Sequence, residues 1–130
     1  MSAVDRLLAA ARQRLGRVPP RRAKQIMDMG GLLIDIRPAA QRARHGEVPG
    51  ALVIERNVLE WRLDPHGTDR IPEARDPNKQ IVIMCQEGFA SSLAAASLHD
   101  LGLLAATDLE GGFAAWKEAG LPVTPPTHPS

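Results

Sequence analysis

Residues 80–95 read QIVIMCQEGFASSLAA, and this stretch indicates the fold class of the chain. The run Ile81–Met84 is short and wholly apolar, which is typical of a strand buried on both faces. After a short loop, an Ala-rich segment over 91–101 predicts a helix that ends at Gly102. A buried strand followed by a helix is the repeating unit of α/β domains with a parallel sheet.

The same alternation of strands and helices continues along the chain. Short apolar runs predict further strands over 32–36, 51–54 and 105–109. Helical patterns cover 3–15, 20–29, 38–45, 57–61 and 114–119. Proline and glycine signals over 62–79 predict a long irregular connection, and such connections often form lids or binding loops. We therefore predict an α/β fold with a small, mostly parallel central sheet and helices on both faces.

Composition limits the function classes. The 130 residues are 44% hydrophobic, which suits one domain, and the net charge of +1 implies no bulk attraction to nucleic acid or membrane. No apolar run approaches the roughly 20 residues that span a bilayer. Arg6, Arg12 and Arg14 interrupt the apolar stretches that a secretory signal would need, so we expect a cytoplasmic protein.

Charge is concentrated at the N-terminus. Residues 1–30 hold seven basic and two acidic residues, a sum of +5, whereas the remainder holds nine basic and thirteen acidic residues, a sum of −4. A solvated helix and turn is the simplest interpretation, and a partner surface is the alternative. The residues in question are Arg12, Arg14, Arg17, Arg21, Arg22 and Lys24.

Cys85 is the only cysteine, and it directly follows the strand Ile81–Met84. Ligands of open α/β sheets bind beyond the carboxyl ends of the strands, where the following helix presents free N–H groups that favour a thiolate. Gly88 permits a tight loop, and Ser91 or Ser92 is the predicted N-cap of the helix. These features predict a catalytic nucleophile, and a small buried hydrophobe is the alternative.

Four segments carry a family resemblance. Residues 81–95 resemble the active-site region of the rhodanese family. Leu33–Arg37, LIDIR, resembles its aspartate-x-arginine strand end, and Gly46–Ala51, GEVPGA, resembles its glycine-histidine-isoleucine-proline-glycine-alanine turn. Leu109–Trp116, LEGGFAAW, resembles its C-terminal signature. The order and spacing of the four segments agree with the family.

This resemblance predicts the domain organisation. It covers residues 17–123 as a rhodanese-like domain, which an amphipathic helix over 1–16 precedes. A proline-rich tail over 124–130 follows, and we expect it to be loose or draped on the surface.

The resemblance also implies an activity, that of a sulfurtransferase. Cys85 would take sulfane sulfur from thiosulfate or a persulfide, become a persulfide itself, and pass the sulfur to cyanide or a thiol, with no cofactor or metal. Asp35 and Arg37 would form a structural pair that shapes the site, with a direct part in catalysis as the alternative. A sulfur-relay protein is a further partner, and neither nucleic acid nor membrane is expected. The loop that would cradle the sulfur comprises Gln86, Glu87, Gly88, Phe89, Ala90 and Ser91.

Two departures from the family pattern matter. Glu47 stands where the family usually has histidine, so any role of that histidine is absent. The loop offers no lysine or arginine, and Glu87 adds a negative charge where a dianionic donor must dock. Weak binding of thiosulfate is therefore expected.

Two other functions are alternatives to sulfur transfer. A non-catalytic rhodanese-like module for docking or sulfide sensing is one alternative, although such members usually lack the cysteine. A phosphatase or arsenate reductase would need a longer loop closed by an arginine, and none occurs here before Leu93.

Trp116 is predicted to pack with Phe113 in the core, whereas Trp61 is either core or pocket wall. No metal-ligand spacing relates the four histidines, His45, His66, His99 and His128.

Overall fold

In the computed structural model, which describes residues 1–127, four short strands form one sheet. They are β1 (Leu32–Asp35), β2 (Leu52–Val53), β3 (Ile81–Met84) and β4 (Ala106–Asp108), in the spatial order β2-β1-β3-β4. All neighbouring pairs are parallel, which confirms the predicted fold class. Because parallel strands end at the same edge, the residues that follow β1, β3 and β4 meet there.

Helices cover both faces of the sheet. They are α1 (Ala3–Gln13), α2 (Pro20–Asp28), α3 (Ala39–His45), α4 (Leu59–Leu63), α5 (Ala90–Asp100) and α6 (Gly112–Glu118). Short 3₁₀ turns occupy Arg56–Val58 and Pro72–Arg75. No helix within residues 1–127 is long and apolar enough to cross a membrane.

Alternating side chains of β3 fill two separate cores. Ile81 and Ile83 pack with buried residues of α4 and α5, whereas Val82 and Met84 pack with buried residues of α2 and α6. This alternation follows from the strand, because successive side chains point to opposite faces. With both faces covered, β3 is buried along its whole length, and its carboxyl end is fixed in place.

The predictions for the two tryptophans have different outcomes. Trp116 is buried in the same core cluster as Phe113, as predicted. Trp61 is 62% exposed and does not line the cavity at Cys85, so both of its predicted roles are wrong. The reason is helical geometry, since the buried face of α4 carries Leu59 and Leu63 one turn apart, and Trp61 lies between them in sequence and on the other side of the helix.

The tail is anchored rather than loose as far as residue 127. Thr124 and Glu47 exchange two backbone hydrogen bonds, of 3.1 and 2.7 Å, in an isolated antiparallel bridge. Further along, the N–H of Thr127 donates to the carbonyl oxygen of Ala43 at 3.1 Å. The end of the predicted tail, including His128, lies outside the described residues.

Candidate active site

Cys85 follows β3 at the carboxyl edge of the sheet and is almost fully buried, with 7% of the residue exposed. It lines a cavity of about 470 Å³. The other lining residues follow β1 and β3 or come from the first turn of α3, the start of α5 and the 3₁₀ turn before α4: Ile36, Arg37, Pro38, Gln41, Glu55, Arg56, Asn57, Gln86, Glu87, Phe89 and Ala90. The irregular segment 62–79 contributes none of them.

Two backbone amides of the loop point at the sulfur. The N–H of Gly88 donates to Cys85 Sγ at 3.2 Å, and the N–H of Ser91 donates to it at 3.4 Å. Both donors are buried, so their hydrogen bonds to the sulfur do not compete with water. Hydrogen bonds of this kind stabilise a negative sulfur more than a neutral thiol.

The loop needs glycine at position 88 for two reasons. Its φ angle is +89°, a conformation that L side chains rarely adopt. A Cβ atom there would also lie 2.8 Å from the backbone nitrogen of Gly111, where real Cβ atoms do not sit. Close packing of the loop against the start of α6 therefore fixes the Gly88 amide at the sulfur.

The predicted loop residues divide between the cavity and its support. Gln86, Glu87, Phe89 and Ala90 line the cavity, and Glu87, Phe89 and Ala90 are exposed to solvent. Gly88 is buried behind them.

Asp35 and Arg37 form a buried ion pair beside the loop. The two side chains are 1% and 0% exposed, and Arg37 Nη2 lies 2.8 Å from Asp35 Oδ2. Arg37 also donates to the carbonyl oxygen of Gly46 at 2.8 Å and to Gln86 Oε1 at 3.0 Å. Its guanidinium lies over the ring of Phe113, 4.1 Å from the centroid. The pair therefore connects all four segments that carry the family resemblance.

Asp108, which the sequence did not single out, accepts hydrogen bonds on the far side of the loop. It is fully buried at the end of β4, and its Oδ2 accepts from the hydroxyls of Ser91 at 2.7 Å and Ser92 at 2.8 Å. The predicted N-cap role of these serines is therefore wrong. The N-cap position is Phe89, which makes no side-chain capping bond. Ser91 and Ser92 lie two and three residues later, within the first turn of α5, where their hydroxyls donate to the buried carboxylate of Asp108.

Two arginines of the N-terminal segment reach the same network. Arg17 pairs with Asp108, with Nε 2.9 Å from Oδ1. Its Nη2 also donates to the carbonyl oxygen of Gly88 at 3.0 Å, and Arg12 Nη2 donates to that oxygen at 2.8 Å. For these two residues, the prediction of a solvated basic segment is wrong. The excess of arginine before residue 25 was the one sequence feature that pointed to these contacts, but the pattern alone does not say which arginines point into the protein.

Arg56 is a cavity residue that the sequence did not reveal. It pairs with Glu60 one helical turn later, at 2.9 Å, and its side chain is 42% exposed. Burial acts to raise the pKa of Glu60, but the hydrogen bond from Ser97, a backbone hydrogen bond and the charge of Arg56 outweigh it and lower that pKa. The charge of Arg56 is thus largely offset by an ionised neighbour.

Glu47, which replaces the family's histidine, lies away from the cavity. Its side chain pairs with Arg42 at 3.3 Å, and its backbone forms the bridge with Thr124.

Known proteins share both the sequence pattern and the architecture. The family model of the rhodanese-like domain matches residues 19–119. A thiosulfate sulfurtransferase, GlpE, of Pseudomonas syringae is 33% identical, over 78% of this chain and 86% of its own length. The polysulfide-sulfur transferase homodimer of Wolinella succinogenes has a TM-score of 0.72 and 26% identity, over 90% of this chain and 83% of its own.

A further solved structure covers almost the whole molecule. It is a protein of unknown function from Rhodopseudomonas palustris, described as a possible tyrosine phosphatase, with a TM-score of 0.84 and 29% identity over 95% of both chains. The sequence match spans most of this chain and the architecture agrees, so the chain belongs to the rhodanese-like domain family and is a sulfurtransferase of that family.

Proposed function

We propose that Cys85 is the nucleophile of this sulfurtransferase and that it carries the transferred sulfur as a persulfide. The observation that supports this most directly is the pair of amide N–H groups, from Gly88 and Ser91, at 3.2 and 3.4 Å from Sγ. The Cys85 thiolate attacks the outer sulfur of the donor, forming a sulfur–sulfur bond as the donor's own bond to that sulfur breaks. The leaving group is sulfite when the donor is thiosulfate, and it is a thiolate when the donor is a persulfide.

The second half of the cycle returns the enzyme to its starting state. An acceptor such as cyanide or a thiolate attacks the terminal sulfur and takes it, and the electron pair of the broken bond returns to Cys85 as thiolate. With cyanide the product is thiocyanate. Donated N–H groups around the cradle stabilise the negative sulfur at each stage, as an oxyanion hole does for oxygen.

The remaining residues have supporting roles in this proposal. Gln86, Glu87, Gly88, Phe89, Ala90 and Ser91 form the cradle and the entrance to it. Asp35 and Arg37 fix the ends of β1 and of the loop, since Arg37 bonds both Asp35 and Gln86. We assign the activity to a domain over 17–123, place it in the cytoplasm, and name a thiol of a small molecule or of a sulfur-relay protein as the acceptor.

The charges around the cavity favour a persulfide donor over thiosulfate. Both arginines that line it are paired with acids, Arg37 with Asp35 and Arg56 with Glu60. Glu55 and Glu87 also line it, and neither has an ion pair within residues 1–127. A dianion therefore meets net repulsion.

The size of the cavity agrees with a larger donor or acceptor. A volume of about 470 Å³ falls within the range of pockets that hold small organic ligands, so it leaves room beyond a thiosulfate ion. The relative in Pseudomonas syringae is named for thiosulfate, and we expect this protein to use thiosulfate at high concentration.

Substitution of Cys85 tests the nucleophile. Cys85→Ser should abolish sulfur transfer to cyanide, measured as thiocyanate, while circular dichroism and the thermal midpoint remain those of a folded protein. Thiocyanate formation above the uncatalysed rate by Cys85→Ser would refute the assignment. Absence of transfer by the wild type with both donors would instead favour the non-catalytic docking or sensing module.

Charge reversal at the entrance tests the donor. Glu87→Lys should lower the KM for thiosulfate severalfold at low salt, because repulsion of the dianion becomes attraction, and the effect should shrink as ionic strength rises. The matched control is Glu118→Lys, which changes the net charge equally at an exposed position that does not line the cavity. A persulfide donor should show little change with either variant. Equal KM values for the two variants with thiosulfate would contradict the electrostatic account.

The phosphatase alternative requires an arginine in the loop itself, and the two arginines that line the cavity, Arg37 and Arg56, lie outside the loop and are paired with acids. A phosphate-binding loop needs a guanidinium that grips the phosphate in a bidentate manner. Residues 86–92 contain no arginine, and both arginines that reach this loop from the N-terminal segment bond its backbone from behind, at the carbonyl oxygen of Gly88.

A further inference from the structure

We propose that Arg12 and Arg17 are positioning residues for sulfur transfer, holding the loop so that its amides meet the sulfur of Cys85. We call these two side chains, bonded to the carbonyl oxygen of Gly88, the arginine clamp. This inference rests on the proposed function of Cys85. It gives the N-terminal segment, which lies before the matched range 19–119, a part in catalysis.

The Gly88 residue is held from both sides. Its N–H points inward to Cys85 Sγ at 3.2 Å, while its carbonyl oxygen accepts from Arg12 at 2.8 Å and from Arg17 at 3.0 Å. Hydrogen bonds from a charged donor are stronger than neutral ones, and two of them converge on a single oxygen. Rotation of Gly88 away from the sulfur would break both.

The second amide at the sulfur is anchored to the same arginines. Ser91 donates its N–H to Sγ, and its hydroxyl donates to Asp108, which pairs with Arg17. Arg12 Nε completes the connection by donating to Ser92 Oγ at 3.1 Å, and the Ser92 hydroxyl also donates to Asp108. One network therefore holds both amides that contact the sulfur.

The clamp also changes the charge behind the loop. Two guanidinium groups and one carboxylate sum to +1 on the side away from the cavity, whereas the cavity itself carries Glu55 and Glu87. A positive charge there attracts the negative charge that the sulfur carries during transfer. Neither Arg12 nor Arg17 lines the cavity, so the clamp acts on the reacting sulfur without touching the donor.

Arg12→Gln tests the clamp, with Arg14→Gln as the matched control. Arg14 continues from the same helix and also reaches α5, through an exposed pair with Asp100 at 2.7 Å, but it does not touch the loop. We expect Arg12→Gln to lower kcat about tenfold, less than complete removal of an oxyanion-hole donor, with KM changed less than about twofold. Arg14→Gln should keep the wild-type kcat. Alkylation of Cys85 by iodoacetamide at fixed pH should slow in Arg12→Gln alone.

Conservative variants separate positioning from folding. Arg12→Lys keeps the positive charge and a hydrogen-bond donor, so it should recover part of the kcat that Arg12→Gln loses. The same comparison applies at the second position of the clamp. If Arg17→Gln fails to fold, Arg17→Lys replaces it and should keep part of the wild-type kcat. Equal kcat and alkylation rates for Arg12→Gln and Arg14→Gln would overturn the inference, as would a loss that appears only in KM. If the wild type transfers no sulfur, the proposed function fails, whereas the alkylation rates still report on the clamp.

Discussion

Two acid–arginine pairs lie on either side of Cys85, one fully buried and one partly buried, and they differ in the sequence separation of their residues. Asp35 and Arg37 lie two residues apart at the end of β1. Asp108, at the end of β4, pairs with Arg17, 91 residues away. Since β3 lies between β1 and β4, the two pairs hold the loop after Cys85 from opposite sides.

The difference shows what each pair does. Arg37 lines the cavity and donates to Gln86 and to the carbonyl oxygen of Gly46, and we propose on this ground that the pair shapes the site. The pair of Arg17 and Asp108 lies behind the loop and fixes the residues whose amides contact the sulfur. The first is a local motif, whereas the second depends on docking of the N-terminal segment against the sheet.

The largest expected effect is loss of the local pair. Arg37→Met leaves the Asp35 carboxylate buried with one remaining donor, the backbone N–H of residue 37, at 3.0 Å. Because an uncompensated buried charge is costly, we expect the free energy of unfolding to fall by about 4 kcal/mol. Urea unfolding followed by circular dichroism measures it. A loss below that of an exposed-pair variant such as Arg14→Gln would show that Asp35 is relieved in some other way.

A smaller loss of stability is expected for the long-range pair. Arg17→Met leaves Asp108 with two hydroxyl donors, Ser91 and Ser92, and the Arg17 side chain is already 17% exposed. We expect the free energy of unfolding to fall by about 2 kcal/mol. We also expect kcat to fall, and the loss of kcat per unit of lost stability should be at least as large for Arg17→Met as for Arg37→Met. The same urea unfolding gives the comparison, and a larger loss for Arg17→Met than for Arg37→Met would reverse the ranking.

The smallest effect on the free energy of unfolding is expected for the pair of Arg56 and Glu60. The pKa of Glu60 is lowered in the folded protein from an ordinary value of 4.5, so its contribution to stability is present above that pH and is lost as pH falls through the lower folded value. We expect Glu60→Gln to cost less than about 1 kcal/mol at neutral pH, because the pair is partly exposed. The difference from wild type should shrink below pH 4.5. A pH series of unfolding curves checks this, and a difference that grows toward acid would contradict the sign.

The sequence predicted the features that depend on neighbouring residues. Cys85 and the strand before it lie within one short segment, so the apolar run and the loop after it suffice to find them. The Asp35–Arg37 pair was predicted from the family resemblance of residues 33–37. The tight loop was likewise predicted from Gly88, and the φ of +89° at this residue agrees. Short-range sequence patterns therefore predicted the residues on the cavity side of the loop.

The rear of the site required the tertiary structure. Serine after a loop is typical of an N-cap, but Ser91 and Ser92 bond to Asp108, which β4 brings beside them. Basic residues near a terminus are usually solvated, yet Arg12 and Arg17 turn inward because the carbonyl oxygen of Gly88 needs donors. Nothing in the order of residues reveals a contact across more than 70 positions.

Intact mass spectrometry after exposure to a sulfur donor tests the central claim, that Cys85 carries the sulfur. Wild-type protein treated with thiosulfate or a persulfide, then freed of small molecules, should gain the mass of one sulfur atom. Addition of cyanide should remove that mass and release an equal amount of thiocyanate, while Cys85→Ser should gain nothing. Turnover by the wild type with no sulfur adduct, or the same adduct on Cys85→Ser, would contradict the account.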